Sequence, residues 1–576
     1  MKTRKIPKRT LLFITVLLTV PGAIPVALIL PGIHIFGGSG RFRMHTMEPG
    51  EIMPEPDTEM NGSMPPSPLP PVGLQLLDIV TAQVRPEEAT ERTFSPKNFL
   101  AWLASGKDTE RINALLRERR PHAGVGSSWL LRKGDYDFSL AAWTTLLYLF
   151  GDQPERLYPE TKAHLLDVLL TESGGKPKTT VPGTCRLITE TENHILLAES
   201  SRYLKNQWLH LNGTEAEQAD PRWDNARNGL ESWLLGFLEA VLTEGIYEFN
   251  SRPYSGYTIH ALLNLEGFAA SPAVRQKARL ILDRQNLTYA LGSLQLRRFP
   301  PFRRQYRRAD TQELDSDPHT AFFYAWTGVE PDDPRVIPWA RNYSDWSLIA
   351  SLLPYRLPEA LRQWALEKKE PYFVRFSHGA SGCPEIYSAG PGWLLTAGGF
   401  NRGLRSLVVA MPITLMLEDG QRYLDGCIHL NGAGKRRSWN ATGVYTDFAC
   451  IRGTAHVPEG WTPEAAAGGW RIFRAPITQP LVIALYENQD QVCLLALFHE
   501  ADLSADALLA RIQEANPEEA ALSGRFARPG GTTLEYDLDA KAGCWVMKEE
   551  NGTPFDRNCD RWEQIGGTAP HLSFRR

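Results

Sequence analysis

Apolar residues recur at three- and four-residue spacing through most of residues 73–368, the mark of helices with one buried face. The pattern predicts helices over 96–105, 108–119, 138–150, 160–171, 191–207, 224–243, 258–270, 273–286 and 357–368. Leu140, Trp143, Leu146, Leu147 and Phe150 make one stripe; Leu234, Phe237, Leu238 and Val241 make another. Many such helices, joined by long loops rich in Gly, Pro and Arg, do not suit a simple bundle. They suit an α/α solenoid or a closed toroid, in which helix pairs repeat around an axis. From about residue 371 the texture changes. Gly and Pro punctuate short β-prone runs: WLLTAGGF, SLVVAMPITLML, LVIALYE, QVCLLALF and CWVMK. These predict an antiparallel sandwich, interrupted by a helical stretch over 505–515.

The N-terminus follows neither pattern. Lys2, Arg4, Lys5, Lys8 and Arg9 precede an uncharged run over 11–37. A run of that length can span about 30 Å of hydrocarbon. It is longer than the core of a cleaved signal and has no small-x-small exit. An uncleaved signal-anchor is therefore expected, with the bulk of the chain outside the cytoplasm, periplasmic or extracellular. Secretion after cleavage is the alternative. Residues 45–72 are rich in Pro, Met and acid and read as an extended spacer. The expected organisation is multidomain α+β. A cytoplasmic basic stretch and membrane anchor fill 1–44 and a linker 45–75. A helical toroid follows over 76–370, then a β-sandwich over 371–576.

Composition narrows the function classes. Of 576 residues 43% are hydrophobic, enough for a large core, and the net charge of −4 gives no field suited to nucleic acid. The seven Cys form no CxxC and no zinc spacing. One or two bridges in the C-terminal half are compatible with export. The chain lacks a P-loop, GxGxxG, HExxH and GxSxG, against nucleotide, zincin and α/β-hydrolase chemistry. No metal or other cofactor is called for.

The strongest constellation is Thr189-Glu190-Thr191-Glu192-Asn193-His194. Thr189 and Glu192 have capping-box spacing, which puts Asn193 and His194 in a first helical turn. Glu190 and His194 lie four apart, so that carboxylate can orient the imidazole and raise its pKa. An isolated Asn-His pair also occurs simply as helix-end decoration. Downstream, the loop 247–258 (YEFNSRPYSGYT) carries Arg252, Tyr254 and Tyr257 into another amphipathic helix. Six Arg in twelve residues over 297–308, with Arg303, Arg304, Tyr306 and Arg307 among them, suit an acidic polymer. A solvated surface loop is the plainer reading. His319, in DSDPHT, is either a cleft residue or a helix start. In WLLRKGDYDF, Trp129 is a candidate sugar platform, and Asp135 and Asp137 precede a helix. N-capping explains one of these acids. As a pair they suit a glycosidase acid and base, with Glu190, Glu192 or Glu248 as partners.

The segments TETENHILLAESSRYL, YEFNSRPYSGYTIHALLNLEGFA and AVRQKARLILD resemble the helical domain of the heparinase II/III-like and alginate-lyase-like proteins. PEIYSAGPGWLLTAGG resembles the start of their β-domain. The resemblance covers 125–500 in organisation and only short stretches closely. It implies an (α/α) toroid with Asn193, His194 and Tyr254 at its cleft, Tyr257 as the substitute phenol, and an Arg. Arg252, two residues before Tyr254, departs from the family's spacing.

That set suits β-elimination at a uronate. An amide stabilises the charge developing on the carboxyl group. His194 takes the C5 proton or holds the phenol, and Tyr254 takes a proton or gives one to the leaving oxygen. The expected function is thus a lyase on an acidic polysaccharide. The alternatives are a glycoside hydrolase on the same scaffold, or a non-catalytic, membrane-tethered glycan-binding or envelope protein.

Overall fold

The structure, a computed structural model, is described here for residues 69–562 and 566–567, except 90–93, 128–134, 185, 187, 253, 305–309, 330–339, 379–382, 401–407, 419, 434–438 and 501–503. The expected anchor over 11–37 and most of the spacer lie outside these residues. Among the described residues no helix is long and apolar enough to cross a membrane.

All but one of the predicted helices form, with shifted ends, and others join them. They are α1 (Pro71–Gln83), α2 (Pro96–Ser105), α3 (Thr109–Glu118), α4 (Asp137–Phe150), α5 (Glu192–Asn212), α6 (Leu230–Glu244), α7 (Tyr254–Phe268), α8 (Pro272–Leu291), α9 (Pro318–Thr327), α10 (Ala340–Leu352) and α11 (Glu359–Leu366). Three of them, α1, α9 and α10, were not anticipated. Helix α1 begins inside the segment assigned to the linker. Pro71 and Pro318 each open a helix, where a missing N–H costs nothing and the fixed φ suits the first turn. The Pro-rich stretch thus hides one helix start, and an isolated Pro318 marks another. The expected helix over 160–171 is only Pro159–His164, followed by a π-helical turn over Leu165–Leu169.

Helix α7 is enclosed by its neighbours: it packs on α4, α5, α8 and α9. Ile259, Ala261, Leu262, Leu263 and Leu265 are all fully buried, so it has no solvent face and little amphipathic pattern. Its polar groups are satisfied inside. Thr145 on α4 donates to Asn264 Oδ1 at 2.7 Å and meets His260 Nε2 at 2.8 Å, while Asn264 donates to the Ala141 carbonyl. Burial, with Lys97 nearby, drives His260 down to about 3, so it stays neutral. Leu263→Ala is expected to cost about 2–5 kcal/mol of stability through the cavity it leaves, read as a lower denaturant midpoint.

The C-terminal part is antiparallel. Its strands are β1 (Tyr372–Ser377), β2 (Pro384–Gly390), β3 (Trp393–Gly398), β4 (Ile413–Leu417), β5 (Ile428–Gly432), β6 (Phe448–His456), β7 (Ala465–Ala467), β8 (Trp470–Arg474), β9 (Val482–Glu487) and β10 (Val492–Phe498). They pair in the order β7-β8-β9-β10-β6-β5-β4-β3-β2-β1. A second, four-stranded sheet (Arg525–Ala527, Thr533–Tyr536, Met547–Glu550, Thr553–Pro554) and α12 (Ala505–Ala515) share an apolar core with this sheet.

Strands β2, β3 and β4 are buried along their whole length. Alternation explains why. Tyr387, Ala389, Leu394 and Met416 face the helical core, while Ile386, Leu395, Leu415 and Leu417 face the second sheet. Helices and sheet therefore share one core. The six described cysteines, 383, 427, 450, 493, 544 and 559, are free thiols; no bridge forms among them.

The described part of the arginine-rich segment, 297–304, is mostly internal. Arg297 and Arg298 sit in a short hairpin with Ser293–Leu294, and Phe302–Arg303 pairs with Val408–Val409. Arg297 donates to the Leu417 carbonyl at 2.7 Å. Arg298 reaches Asn250 Oδ1 at 2.5 Å and Asp317 at 3.2 Å. Arg297 ties this segment to the sheet and Arg298 to the 247–252 loop and the cap of α9, which corrects the picture of a solvated loop for these residues.

Candidate functional site

Three helix N-termini meet around the ring of Phe138. Helix α4 supplies Asp137 and Phe138, α5 supplies Asn193 and His194, and α7 supplies Tyr254 and Tyr257. The Phe138 ring lies 5.2 Å from the His194 ring, 5.9 Å from Tyr254 and 4.7 Å from Tyr257, centroid to centroid. An imidazole and two phenols from distant segments thus gather about one aromatic side chain, with the Asn193 amide next to the imidazole in the chain.

The expected capping box does not form. Thr191, not Thr189, is the N-cap of α5, and its hydroxyl donates to Asn193 Oδ1 rather than capping the backbone. Thr189 instead bridges Thr180 in a hairpin, and Glu190 N–H donates to the Thr179 carbonyl. Glu190 therefore precedes the helix, and the four-residue spacing to His194 does not stack the two side chains. Ser127 holds Glu190, through its backbone N–H at 2.5 Å and its hydroxyl at 2.7 Å.

The carboxylate bonded to His194 is Asp137, whose Oδ2 lies 2.5 Å from Nδ1. Asp137 is fully buried and His194 is 5% exposed. Burial by itself lowers an imidazole pKa. Here Asp137, then Glu190 and Glu248, outweigh it and push His194 up to about 9. At neutral pH the ring is an imidazolium with Nδ1–H on Asp137, leaving Nε2–H as its other donor. A cation in the first turn of a helix opposes the helix dipole, so the carboxylates are what hold the charge there. Glu190 is pushed up by its own burial, opposed by His194 and by the Ser127 bonds.

Asn193 is fully buried, and its Nδ2 has no hydrogen-bond partner. Such orphans are rare in folded proteins. Glu248, also buried, has an unpartnered Oε2, while its Oε1 accepts from Arg304 at 2.5 Å. Its backbone N–H donates to Glu192 Oε1 at 2.5 Å, joining the 247–252 loop to the start of α5. Arg304 also lies over the Tyr254 ring, 5.4 Å from its centre. Burial alone lowers its pKa, but Glu248 and Tyr254 outweigh this and raise it. Tyr257 differs: Trp346 lies edge-on at 5.0 Å, and burial with Asp345 and Asp137 pushes its phenol up to about 12. Asp135 (φ 76°), Asn250 (φ 50°) and Arg304 (φ 69°) take left-handed backbone conformations around this centre, as residues at functional sites often do.

Other candidates lie elsewhere. Arg252 is buried and donates to Ser316 Oγ at 2.9 Å, bracing the turn into α9. Arg303 donates to the Tyr247 carbonyl at 3.1 Å and stacks on that ring at 4.0 Å. His319 bonds Asn286 on α8 at 2.7 Å; burial drives it down to about 3. Asp135 sits in the backbone turn that leads to Asp137, its N–H on the Gly126 carbonyl. Trp129, Tyr306 and Arg307 lie outside the described residues. The paired-acid reading had named Asp137, Glu192 and Glu248, but nothing local singled out Asp137 as the partner of His194. Ser127 and Phe138 carried no signal. Among the described residues no group of three or more His, Cys, Asp or Glu is arranged to hold a metal. Compared with family models, curated proteins and solved structures, the chain matches none.

The raised His194 pKa has a definite sign for stability. A histidine whose folded pKa exceeds its unfolded value stabilises the fold fully below about 6.5, and that contribution is lost as pH rises towards 9. A shift of this size is on the order of 3 kcal/mol. Urea midpoints of the wild type are expected to fall between these pH values, and His194→Gln to flatten that part of the profile. Parallel profiles for both proteins would show that His194 is not the titrating group.

Proposed function

We propose that this protein is a lyase that cleaves a uronate-containing polysaccharide by β-elimination. The observation that carries the reading is the unpartnered Nδ2 of buried Asn193, next in the chain to an imidazolium that shares the Phe138 ring with a Tyr254 lying under a guanidinium. Asn193 Nδ2–H and His194 Nε2–H donate to the uronate carboxyl group and stabilise the charge that develops as the C5 proton leaves. His194, being cationic, neutralises charge rather than accepting the proton. Tyr254 does that work: a phenol acting as base near neutral pH needs a cation beside it, and Arg304 is that cation. The C5–H electrons form the C4–C5 double bond, the C4–O bond breaks, and the phenol returns its proton to the leaving oxygen.

The packing supports a toroidal frame for this chemistry. Going round, α2 contacts α4, α4 contacts α5, α5 contacts α6, and α6 contacts α8. The path continues through α11, α9 and α10 back to α2, with α7 inside. In this reading the uncharged run over 11–37 tethers the enzyme to a membrane, with its catalytic part outside the cytoplasm.

One observation favours a second reading. Glu248 Oε2 is buried and free of partners, and burial raises the Glu190 pKa, so the centre also holds two carboxyl groups in different environments, the kind of pair that glycoside hydrolysis uses. The product separates the two. Purified protein with alginate, heparan sulfate, chondroitin or polygalacturonate is expected to release unsaturated uronates absorbing in the ultraviolet. New reducing ends without that absorbance establish the hydrolase instead. Binding without either product means a glycan-binding protein.

A further inference from the structure

Tyr257 is the phenol of the centre that the elimination does not use. It ends the first turn of α7, three residues after Tyr254, so the two side chains rise from neighbouring positions about 5–6 Å apart at Cβ. Its ring is held on three sides: Phe138 at 4.7 Å, Trp346 edge-on at 5.0 Å, and the Lys97 ammonium 5.7 Å from the ring centre. Lys97 is itself fixed, by an ion pair with Asp345 and by the Trp346 ring, whose centre lies 3.4 Å from Nζ. A ring held in this way is ordered before any ligand arrives, so the position of its hydroxyl is already set.

That hydroxyl stands apart from others in the helical part. Tyr136, Tyr148, Tyr203, Tyr289 and Tyr355 each donate to a protein acceptor, as packed tyrosines usually do. Among the described residues the Tyr257 hydroxyl has no hydrogen-bond partner. Nor is it sealed in: Tyr257 is half-buried, and its oxygen, unlike Asn193 Nδ2, reaches solvent. The packing therefore uses the ring and leaves the hydroxyl to something outside the chain. Burial, with Asp345 and Asp137, pushes the phenol up to about 12, so near neutral pH it keeps its proton and offers a donor, not a base. Each of those two acids is offset by a cation, Asp345 by Lys97 and Asp137 by His194. An electron-rich oxygen can thus approach the phenol without meeting an uncompensated carboxylate from either.

We propose that Tyr257 is a substrate-binding residue whose hydroxyl donates to an oxygen, carboxylate or hydroxyl, of a bound acidic polysaccharide chain. The inference deepens the lyase reading, on which it rests for the identity of that chain. It divides the work of the two phenols: Tyr254 moves a proton, and Tyr257 holds the sugar. A bond to an oxygen that does not react is as strong in the ground state as in the transition state. It therefore lowers KM and leaves kcat as it is.

The test begins with stability. Tyr257→Phe removes a hydroxyl that no described protein group uses, so its melting is expected to match the wild type. Affinity is then read by calorimetric titration with tetrasaccharides of alginate, polygalacturonate, chondroitin and heparan sulfate. The whole protein is used, carrying Tyr254→Phe to remove the proposed base and prevent turnover. Adding Tyr257→Phe is expected to weaken the tightest of these ligands about three- to tenfold, the worth of one hydrogen bond. In the otherwise wild-type enzyme it is expected to raise KM by the same factor with kcat held. Affinity and KM both unmoved by Tyr257→Phe overturn the proposal. So does a lowered melting temperature, which marks the hydroxyl as structural, and so does a fall in kcat at unchanged KM, which places it in the chemistry. No tetrasaccharide binding tighter than about 10 mM overturns it as well. If binding depends on Tyr257 but wild type releases no unsaturated product, the lyase reading fails and the binding role stands. Cleavage with a KM indifferent to Tyr257→Phe removes the binding role alone.

Discussion

Tyr254→Phe is expected to lower kcat on a uronate polymer by about 10²–10⁴-fold, the usual worth of a positioned acid–base group, while the melting temperature stays within a few degrees. The substitution removes one hydroxyl and nothing else. The ring keeps its stack on Phe138 and remains under the Arg304 guanidinium, and Tyr254 is only partly buried, so no cavity opens in the core. Since the phenol acts at the reacting carbon rather than in holding the polymer, KM is expected to change little. Tyr257→Phe is the matched control. That phenol is held up at about 12 by burial and by Asp345 and Asp137, so its loss is expected to leave kcat within about tenfold. If Tyr254→Phe retains full elimination activity, the phenol is not the base and the proposed chemistry is wrong. A hydrolase at the same centre instead releases reducing ends equally in wild type and Tyr254→Phe, with no ultraviolet product from either.

Asp137→Ala is expected to cost about 3–5 kcal/mol of folding free energy, because it removes the counter-charge and hydrogen-bond acceptor of a buried imidazole. Asp137 is fully buried and bonded to His194 Nδ1, and it is the leading cause of the raised imidazole pKa after the opposing effect of burial. Denaturant titration at pH 6.5 is expected to read the full loss. Above pH 9 the wild-type ring has given up its proton, so the difference between the two proteins shrinks there. Asp137→Asn retains a hydrogen-bond acceptor and the volume, so it is expected to destabilise less while still losing the charge that keeps His194 cationic. Both variants are expected to lose elimination activity, since a neutral imidazole no longer offsets the substrate carboxylate. A loss independent of pH would mean that Asp137 acts by packing alone.

Much of the architecture was legible because it is local. The three- and four-residue recurrence of apolar side chains marked most helices, and punctuated β-prone runs marked the sheet, because each pattern depends on neighbours along the chain. The first-turn position of Asn193 and His194 was legible for the same reason, though through a Thr191 cap and not the expected box. Helices α1 and α9 escaped because Pro reads as a breaker yet is well placed at a helix start. Helix α7 was placed too late, its first turn hidden in a loop-like Gly/Pro sequence, so Tyr254 and Tyr257 were assigned to a loop.

What sequence alone determined is the order of helical and antiparallel parts and the presence of an amide-imidazole pair at a helix start. Only the tertiary structure decided the partners. Asp137, 57 residues away, and not nearby Glu190, bonds the imidazole. Arg304, and not Arg252, lies over Tyr254, while Arg252 braces the turn before α9 and Arg297 joins the helical layer to the sheet. The reason is physical. Periodicity is written by residues a turn apart, whereas the choice among several arginines or several acids is made by which backbone segments the shared core forces together, at separations that local spacing does not encode.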